Sequence, residues 1–128
     1  MNVIFIEDDP MNRRVVGDML DVAGAAMTEA ESGEVGLKLI EERDFDMALV
    51  DLRMPGMDGL TAIRAIRARG DAKAKMPIIV VTADTALDLR ERCLAAGANE
   101  VLFKPVAMDA LFEAMGRILA GGEGDVIL

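Results

Sequence analysis

Met47-Ala48-Leu49-Val50-Asp51-Leu52-Arg53-Met54-Pro55-Gly56-Met57-Asp58-Gly59 is the stretch that decides the fold. Its first four residues read as a buried strand, which delivers a lone carboxylate, Asp51, at its end. Met54-Pro55-Gly56 then marks a turn, and Asp58 is placed to cap a helix carrying Leu60, Ile63 and Ile66. An acid at the mouth of a buried strand, with a turn behind it, is placed for chemistry rather than for packing.

The chain repeats this arrangement on both sides. Glu7-Asp8 ends the run Val3–Ile6, Thr82 ends Ile78–Val81, and Lys104 ends Val101–Phe103. Helical patterns fill the intervals. Asp9-Pro10 offers an N-cap followed by proline at the first helical position, and Val15, Val16, Met19, Leu20 and Ala23 follow at helical spacing up to Gly24. A weak strand fits Ala25–Ala30, and Ser32 caps a second helix with Val35, Leu37, Leu39 and Ile40 as its expected buried face. Gly70 to Pro77 reads as a polar connection. A helix around Thr85–Ala96 stops at Gly97 and is followed by a short strand, Glu100–Phe103. The last helix, about Met108–Ala120, buries Leu111, Phe112, Met115, Ile118 and Leu119, and Gly121-Gly122 is expected to stop it. Residues 1–121 form one domain, and residues 122–128 read as a tail or the start of a linker.

Five strand–helix units in 128 residues imply an α/β fold, a doubly wound parallel sheet of five strands joined by right-handed crossovers. In such sheets ligands sit beyond the carboxyl ends of the strands, where strand order reverses. Every polar residue singled out above lies at such an end.

Composition removes several classes of function. Just over half the residues are hydrophobic, so a substantial core is available and disorder is excluded. No apolar run approaches the roughly 20 residues that span a bilayer, and no basic, apolar leader opens the chain. One cysteine, Cys93, forbids an internal disulfide and fits a cytoplasmic thiol on a helix. With 14 basic and 23 acidic residues the net charge is −9, and no basic stripe offers a nucleic-acid surface. The ten methionines are spread as core filler, not gathered into a metal or cofactor box. Histidine is absent, which excludes a His-based zinc site, a Ser-His or Cys-His nucleophile and a histidine phosphocarrier.

What remains is carboxylate chemistry. Glu7, Asp8 and Asp51 form an acidic cluster whose mutual repulsion a divalent cation relieves, and oxygen-only ligands suit Mg²⁺. One Asp51 oxygen left free is a nucleophile able to accept a phosphoryl group as an acyl phosphate. Lys104 and the Thr82 hydroxyl supply the positive charge and donor that the incoming oxygens need. A flavin site fails locally, because Glu7-Asp8-Asp9 stands where a phosphate cradle needs Gly, Ser or Thr.

With these residues in place, the chain resembles the receiver domains of two-component response regulators. The resemblance rests on Phe5-Ile6-Glu7-Asp8-Asp9-Pro10, Val50-Asp51-Leu52-Arg53-Met54-Pro55-Gly56-Met57-Asp58-Gly59, Val80-Val81-Thr82-Ala83 and Phe103-Lys104-Pro105. The separations of 43 residues from Asp8 to Asp51, 31 on to Thr82 and 22 on to Lys104 are those the family uses. It implies the flavodoxin-like three-layer α/β/α architecture with strand order 2-1-3-4-5, an order the family is known for. It also implies Asp51 as phospho-acceptor, Asp8 as direct Mg²⁺ ligand, Glu7 acting through a metal-bound water, and Arg53 giving its backbone carbonyl to the metal. Thr82 and Lys104 would hold the phosphoryl oxygens. The donor would be a phosphohistidine on a sensor histidine kinase or histidine phosphotransfer protein, and the output a contact with a further protein. Asp9 reads as a helix cap and not a ligand. A generic X–Pro bond is cis in only about 5–6% of folded cases, but the resemblance implies a cis Lys104–Pro105 bond.

Three positions qualify the resemblance. The family commonly carries Tyr or Phe where this chain has Val101, and there is no Tyr or Trp in the chain. Arg53 and Asp84 are each two residues beyond a site residue, and the resemblance implies that these positions border the phosphoryl group; an Arg–Asp pair across the site and two solvated loop charges are both open readings.

Other readings compete. Met1 directly before the first strand favours a stand-alone regulator or relay intermediate, whereas Gly121-Gly122-Glu123-Gly124 suits a linker in a hybrid kinase or a longer regulator. A phosphate-independent pseudo-receiver has Val101 as its one hint. Haloacid-dehalogenase-type phosphatases also join an aspartyl nucleophile, Thr or Ser, Lys and Mg²⁺. They use Asp-x-Asp, whereas this chain has Asp51-Leu52-Arg53 and no room for a cap domain. The chain is therefore expected not to be an enzyme beyond its own phosphorylation and dephosphorylation.

Overall fold

A computed structural model describes residues 1–124, without the side chains of residues 121–124. Strands β1 (Asn2–Ile6), β2 (Ala26–Ala30), β3 (Met47–Val50), β4 (Ile78–Thr82) and β5 (Glu100–Phe103) alternate with helices α1 (Pro10–Val22), α2 (Gly33–Glu42), α3 (Gly59–Arg67), α4 (Leu89–Ala96) and α5 (Met108–Gly124). All strand pairs are parallel, and the sheet order is β2-β1-β3-β4-β5. The expected architecture and order are therefore found.

The three central strands are buried on both faces, which is why they read as unbroken apolar runs rather than alternating ones. Successive residues feed opposite cores. Ile4, Ile6, Ala48, Val50, Ile78 and Val80 meet Ile40, Ile63, Ile66, Leu89 and Cys93 of α2, α3 and α4. Val3, Phe5, Met47, Leu49, Ile79 and Val81 meet Val16 and Leu20 of α1 and Leu111 and Met115 of α5.

Three helix caps follow the sequence. Asp9, Ser32 and Asp58 each accept a backbone N–H of the helix they precede, from Met11, Val35 and Thr61 respectively. Asp9 is thus the cap it was expected to be.

Four expectations need correction. On α2 the sheet-facing positions belong to Gly33, Gly36 and Ile40, while Val35 is exposed. The Ile6 side chain occupies the space a side chain at 36 would need: a Cβ there would lie 2.5 Å from Ile6 Cδ1. Along α1, Val15 stays exposed and the core takes Val16 and Leu20. Helix α4 begins at Leu89, four residues later than Thr85. Thr82 Oγ1 accepts the Asp84 N–H and Asp84 Oδ1 accepts the Ala86 N–H, and these local bonds hold residues 84–88 out of the helical ladder. Finally, α5 continues through Gly121-Gly122 to Gly124, because glycine lowers helix propensity by only about 1 kcal/mol and does not forbid the conformation. The rest of the proposed tail, residues 125–128, lies outside the described residues. The polar connection after α3 holds one 3-10 turn, Ala72–Lys75, capped by Asp71.

Candidate phospho-acceptor site

The parallel ladders bring four strand ends to one level. Glu7 N–H donates to Ala30 O at 2.9 Å, Asp51 N–H to Ile6 O at 2.9 Å and Lys104 N–H to Thr82 O at 2.8 Å, so each functional residue is fixed by its neighbour strand. Glu7, Asp51 and Thr82 are buried, at 1%, 4% and 0% exposure, while Asp8 is exposed beside them.

One carboxylate oxygen from each of Glu7, Asp8 and Asp51 lies within 4.8 Å of the others. Three carboxylates at that spacing, two of them buried, fit a hard divalent cation with oxygen ligands, and Mg²⁺ in particular when waters complete the shell. Lys104 Nζ donates to Glu7 Oε1 at 2.7 Å and to Asp51 Oδ1 at 3.4 Å. It is the one cation in contact with this cluster among the described residues. Burial raises the Glu7 pKa above the usual carboxylate range, and the charge and hydrogen bond of Asp51 add to the rise, against the opposing pull of Lys104. For Lys104 itself, burial alone lowers the pKa, but the hydrogen bond it donates to Glu7 and the charges of Asp51 and Glu7 outweigh it, and the net shift is upward. The ammonium is thus held charged. The Lys104–Pro105 peptide is cis, as the resemblance implied.

A cleft of about 250 Å³ opens on this cluster, lined by Glu7, Asp8, Asp9, Asn12, Asp51, Arg53, Thr82, Ala83 and Lys104. Thr82 Oγ1 accepts the Asp84 amide at 3.0 Å, which leaves its O–H free to donate into the cleft. Arg53, one of the lining residues, donates from Nη2 to Asp84 Oδ2 at 3.1 Å. The Ala86 amide and then the Arg53 guanidinium hold the Asp84 carboxyl below its ordinary range. Every side chain expected at the site lines this cleft.

Sequence reasoning missed the residues that brace it. Arg13 of α1 donates to Glu7 O at 2.8 Å and to Glu29 Oε1 at 2.9 Å, tying the first strand end to β2. It lies six positions from Glu7, on a helix with no basic pattern, so nothing in the spacing points to it. Asn12 enters the cleft from the first turn of α1 and donates to Asp9 Oδ2.

Fold and site together define a phosphoryl-signalling domain of the doubly wound α/β class. Residues 3–116 match the response regulator receiver domain family, and the chain belongs to that family. The virulence sensor protein BvgS of Bordetella pertussis is 33% identical over 124 residues, which are 94% of this chain and 10% of that protein. The chain therefore spans about a tenth of that curated relative. Among solved structures, the chemotaxis protein CheY4 of Vibrio cholerae superposes with a TM-score of 0.83 at 27% identity, covering 91% of this chain and 96% of that one. The receiver domain of a sensor histidine kinase from Pseudomonas aeruginosa, which has magnesium coordinated in its active-site cleft, is 35% identical with a TM-score of 0.79, covering 93% of each chain. Among the described residues no helix is long and apolar enough to cross a membrane.

Proposed function

We propose that Asp51 accepts a phosphoryl group from the phosphohistidine of a sensor histidine kinase or histidine phosphotransfer protein. The observation that carries this reading is the convergence of Asp51, Glu7, Asp8, Thr82 and Lys104 on one cleft. An Asp51 carboxylate oxygen attacks phosphorus, the P–N bond breaks, and the imidazole leaves with its electron pair and takes up a proton. The product is an acyl phosphate on Asp51. Glu7, Asp8, Asp51 and the Arg53 carbonyl are the groups that would hold Mg²⁺, which when bound offsets the charge accumulating on the phosphoryl oxygens. Lys104 exchanges part of its contact with Glu7 for a phosphoryl oxygen, and the Thr82 O–H donates to a second. A buried carboxylate pair answered by a single ammonium carries excess negative charge. Mg²⁺ held by these carboxylates would offset that excess and so favour an anionic phosphoryl group at Asp51.

Curated relatives in which this chain matches only a segment support a place inside a phosphorelay, in cis to a kinase or passed between proteins. Output then runs through a protein contact, without nucleic acid or membrane, in the cytoplasm. The domain works as a signalling module and not as a turnover enzyme.

Incubation with a small-molecule phosphodonor and Mg²⁺ tests this reading by intact mass. Wild type gains one hydroxylamine-labile phosphate, and Asp51→Asn gains none. A wild type that gains nothing from an active donor returns the chain to the phosphate-independent pseudo-receiver, and continuous release of inorganic phosphate from small monoesters favours the phosphatase.

A further inference from the structure

The first turn of α3 lies against the backbone of the phospho-acceptor itself. A Cβ added at Gly59 would lie 2.3 Å from Asp51 O, 2.7 Å from Leu52 Cα and 3.0 Å from Asp51 C. These are backbone atoms, which cannot turn aside as a side chain can. The contact is also bonded, since Gly59 N–H donates to Leu52 O at 2.9 Å. On the opposite side, Asp51 N–H is held by Ile6 O. The Asp51–Leu52 peptide is thus clamped between β1 and the start of α3, with Leu52 and Met54 buried behind it.

We infer that Gly59 is a positioning residue for the site: the missing Cβ lets α3 set the placement of Asp51 and of the Arg53 carbonyl one residue beyond Leu52. This rests on the proposed phospho-acceptor reading for its functional meaning, but the clamp is a property of the metal-free chain. A methyl group at 59 forces either α3 away from the sheet or the Asp51–Arg53 segment out of line. Misplacement by about 1 Å at such a site is enough to lower rate about 100-fold.

The test compares Gly59→Ala with two variants that weaken the fold without touching the clamp. Asp58→Ala removes the cap of the same helix, whose side chain accepts the Thr61 N–H. Gly24→Ala strains a glycine at φ +76° between α1 and β2, where an added Cβ meets nothing within 4 Å. Hydrogen exchange of the Asp51 and Arg53 amides in metal-free protein and Mg²⁺ titration by calorimetry are the readouts. Gly59→Ala is expected to speed exchange at Asp51 and to weaken Mg²⁺ about 10-fold or more, with both comparators within about twofold of wild type. Equal Mg²⁺ affinity in Gly59→Ala and wild type overturns the inference, as does equal weakening in Asp58→Ala. If Gly59→Ala stays unfolded even in sucrose, which favours the compact state, the glycine is a folding requirement and the positioning role falls. Should wild type bind Mg²⁺ yet take no phosphate, the proposed function fails while the clamp stands.

Discussion

Arg53 lines the cleft and pairs with Asp84 beside it, and this pairing is where a single side chain is expected to set the chemistry's timing. The Arg53 side chain is 77% exposed, so solvent screens the pair and it contributes little to stability. On the proposed reading its effect is on access: Arg53 also lines the cleft, and its guanidinium would limit the approach of water to an acyl phosphate on Asp51. Arg53→Ala is expected to raise the hydrolysis rate of phosphorylated protein up to about fivefold, the equivalent of about 1 kcal/mol in barrier, with urea midpoints unchanged. Phosphoprotein decay followed by intact mass measures this, and an unchanged half-life would make the pair a surface contact only. The pair was legible from the sequence, as were Asp51, Thr82, Lys104, Glu7 and Asp8, because each stands at a fixed offset from an apolar run. Arg13 and Gly59 were not. Their roles come from what lies opposite them in space, the Glu7 carbonyl and the Asp51 peptide, and no local pattern encodes that.

Among the elements, the three central strands were read nearly to the residue, since burial on both faces leaves an apolar run bounded by polar ends, whereas the edge strand β2 gave only a weak pattern. Helices were read less well at their edges and faces. The start of α4 depended on Asp84 and Thr82 choosing local bonds over the helix, and the face of α2 depended on the shape of Ile6 above it. Arg67 shows the same limit. It looks like an ordinary basic residue in the last turn of α3, yet it donates to Gly97 O, Ala74 O, Met76 O and Asn99 Oδ1, joining α3 to the 3-10 turn and to both ends of the α4–β5 connection. No carboxylate is among these partners. Burial pushes the guanidinium pKa down, and four oxygens, three of them backbone carbonyls, carry the compensation. Arg67→Ala removes every one of these donors; hydrogen bonds to charged groups contribute about 1.5–3 kcal/mol each net of exchange with water, and desolvation of the partly buried guanidinium offsets part of their sum. We expect a loss of about 2–4 kcal/mol in urea denaturation, with Mg²⁺ affinity retained because none of these partners belongs to the cleft. Loss of less than 0.5 kcal/mol would mean that water replaces the network.

For the whole molecule, the open matter is how an event at Asp51 leaves the site with Val101 at the position where the family resemblance implies a ring. Val101 is already buried, in the core beneath α4, so no side chain there is available to exchange an exposed position for an internal one. The connections that do leave the site run through backbone. Thr82 ends β4 and holds the Asp84 amide, Asp84 holds Ala86 and Arg53, and Lys104 hangs on Thr82 O at the end of β5. Drawing the Thr82 hydroxyl and the Lys104 ammonium toward a phosphoryl group therefore loads both ends of the 84–103 segment. Further along, Glu100 accepts from Arg90 of α4 and Arg117 of α5, so a shift of α4 is felt at β5 and α5 through charge rather than through a ring. On the other edge of the sheet β2 and α2 share none of these bonds. With beryllofluoride and Mg²⁺ standing in for the phosphoryl group, amide chemical shifts are expected to change from Thr82 through Arg90 and again over Glu100–Lys104, while those of α2 stay near their starting values. Glu100→Gln should shrink the changes at Arg90 and leave those at Thr82 intact, since it weakens the ionic link without touching the site. Shift changes confined to residues 51–59 would show that the α4–β5 side takes no part in output, and the search for the docking surface would move to the loop after Asp51.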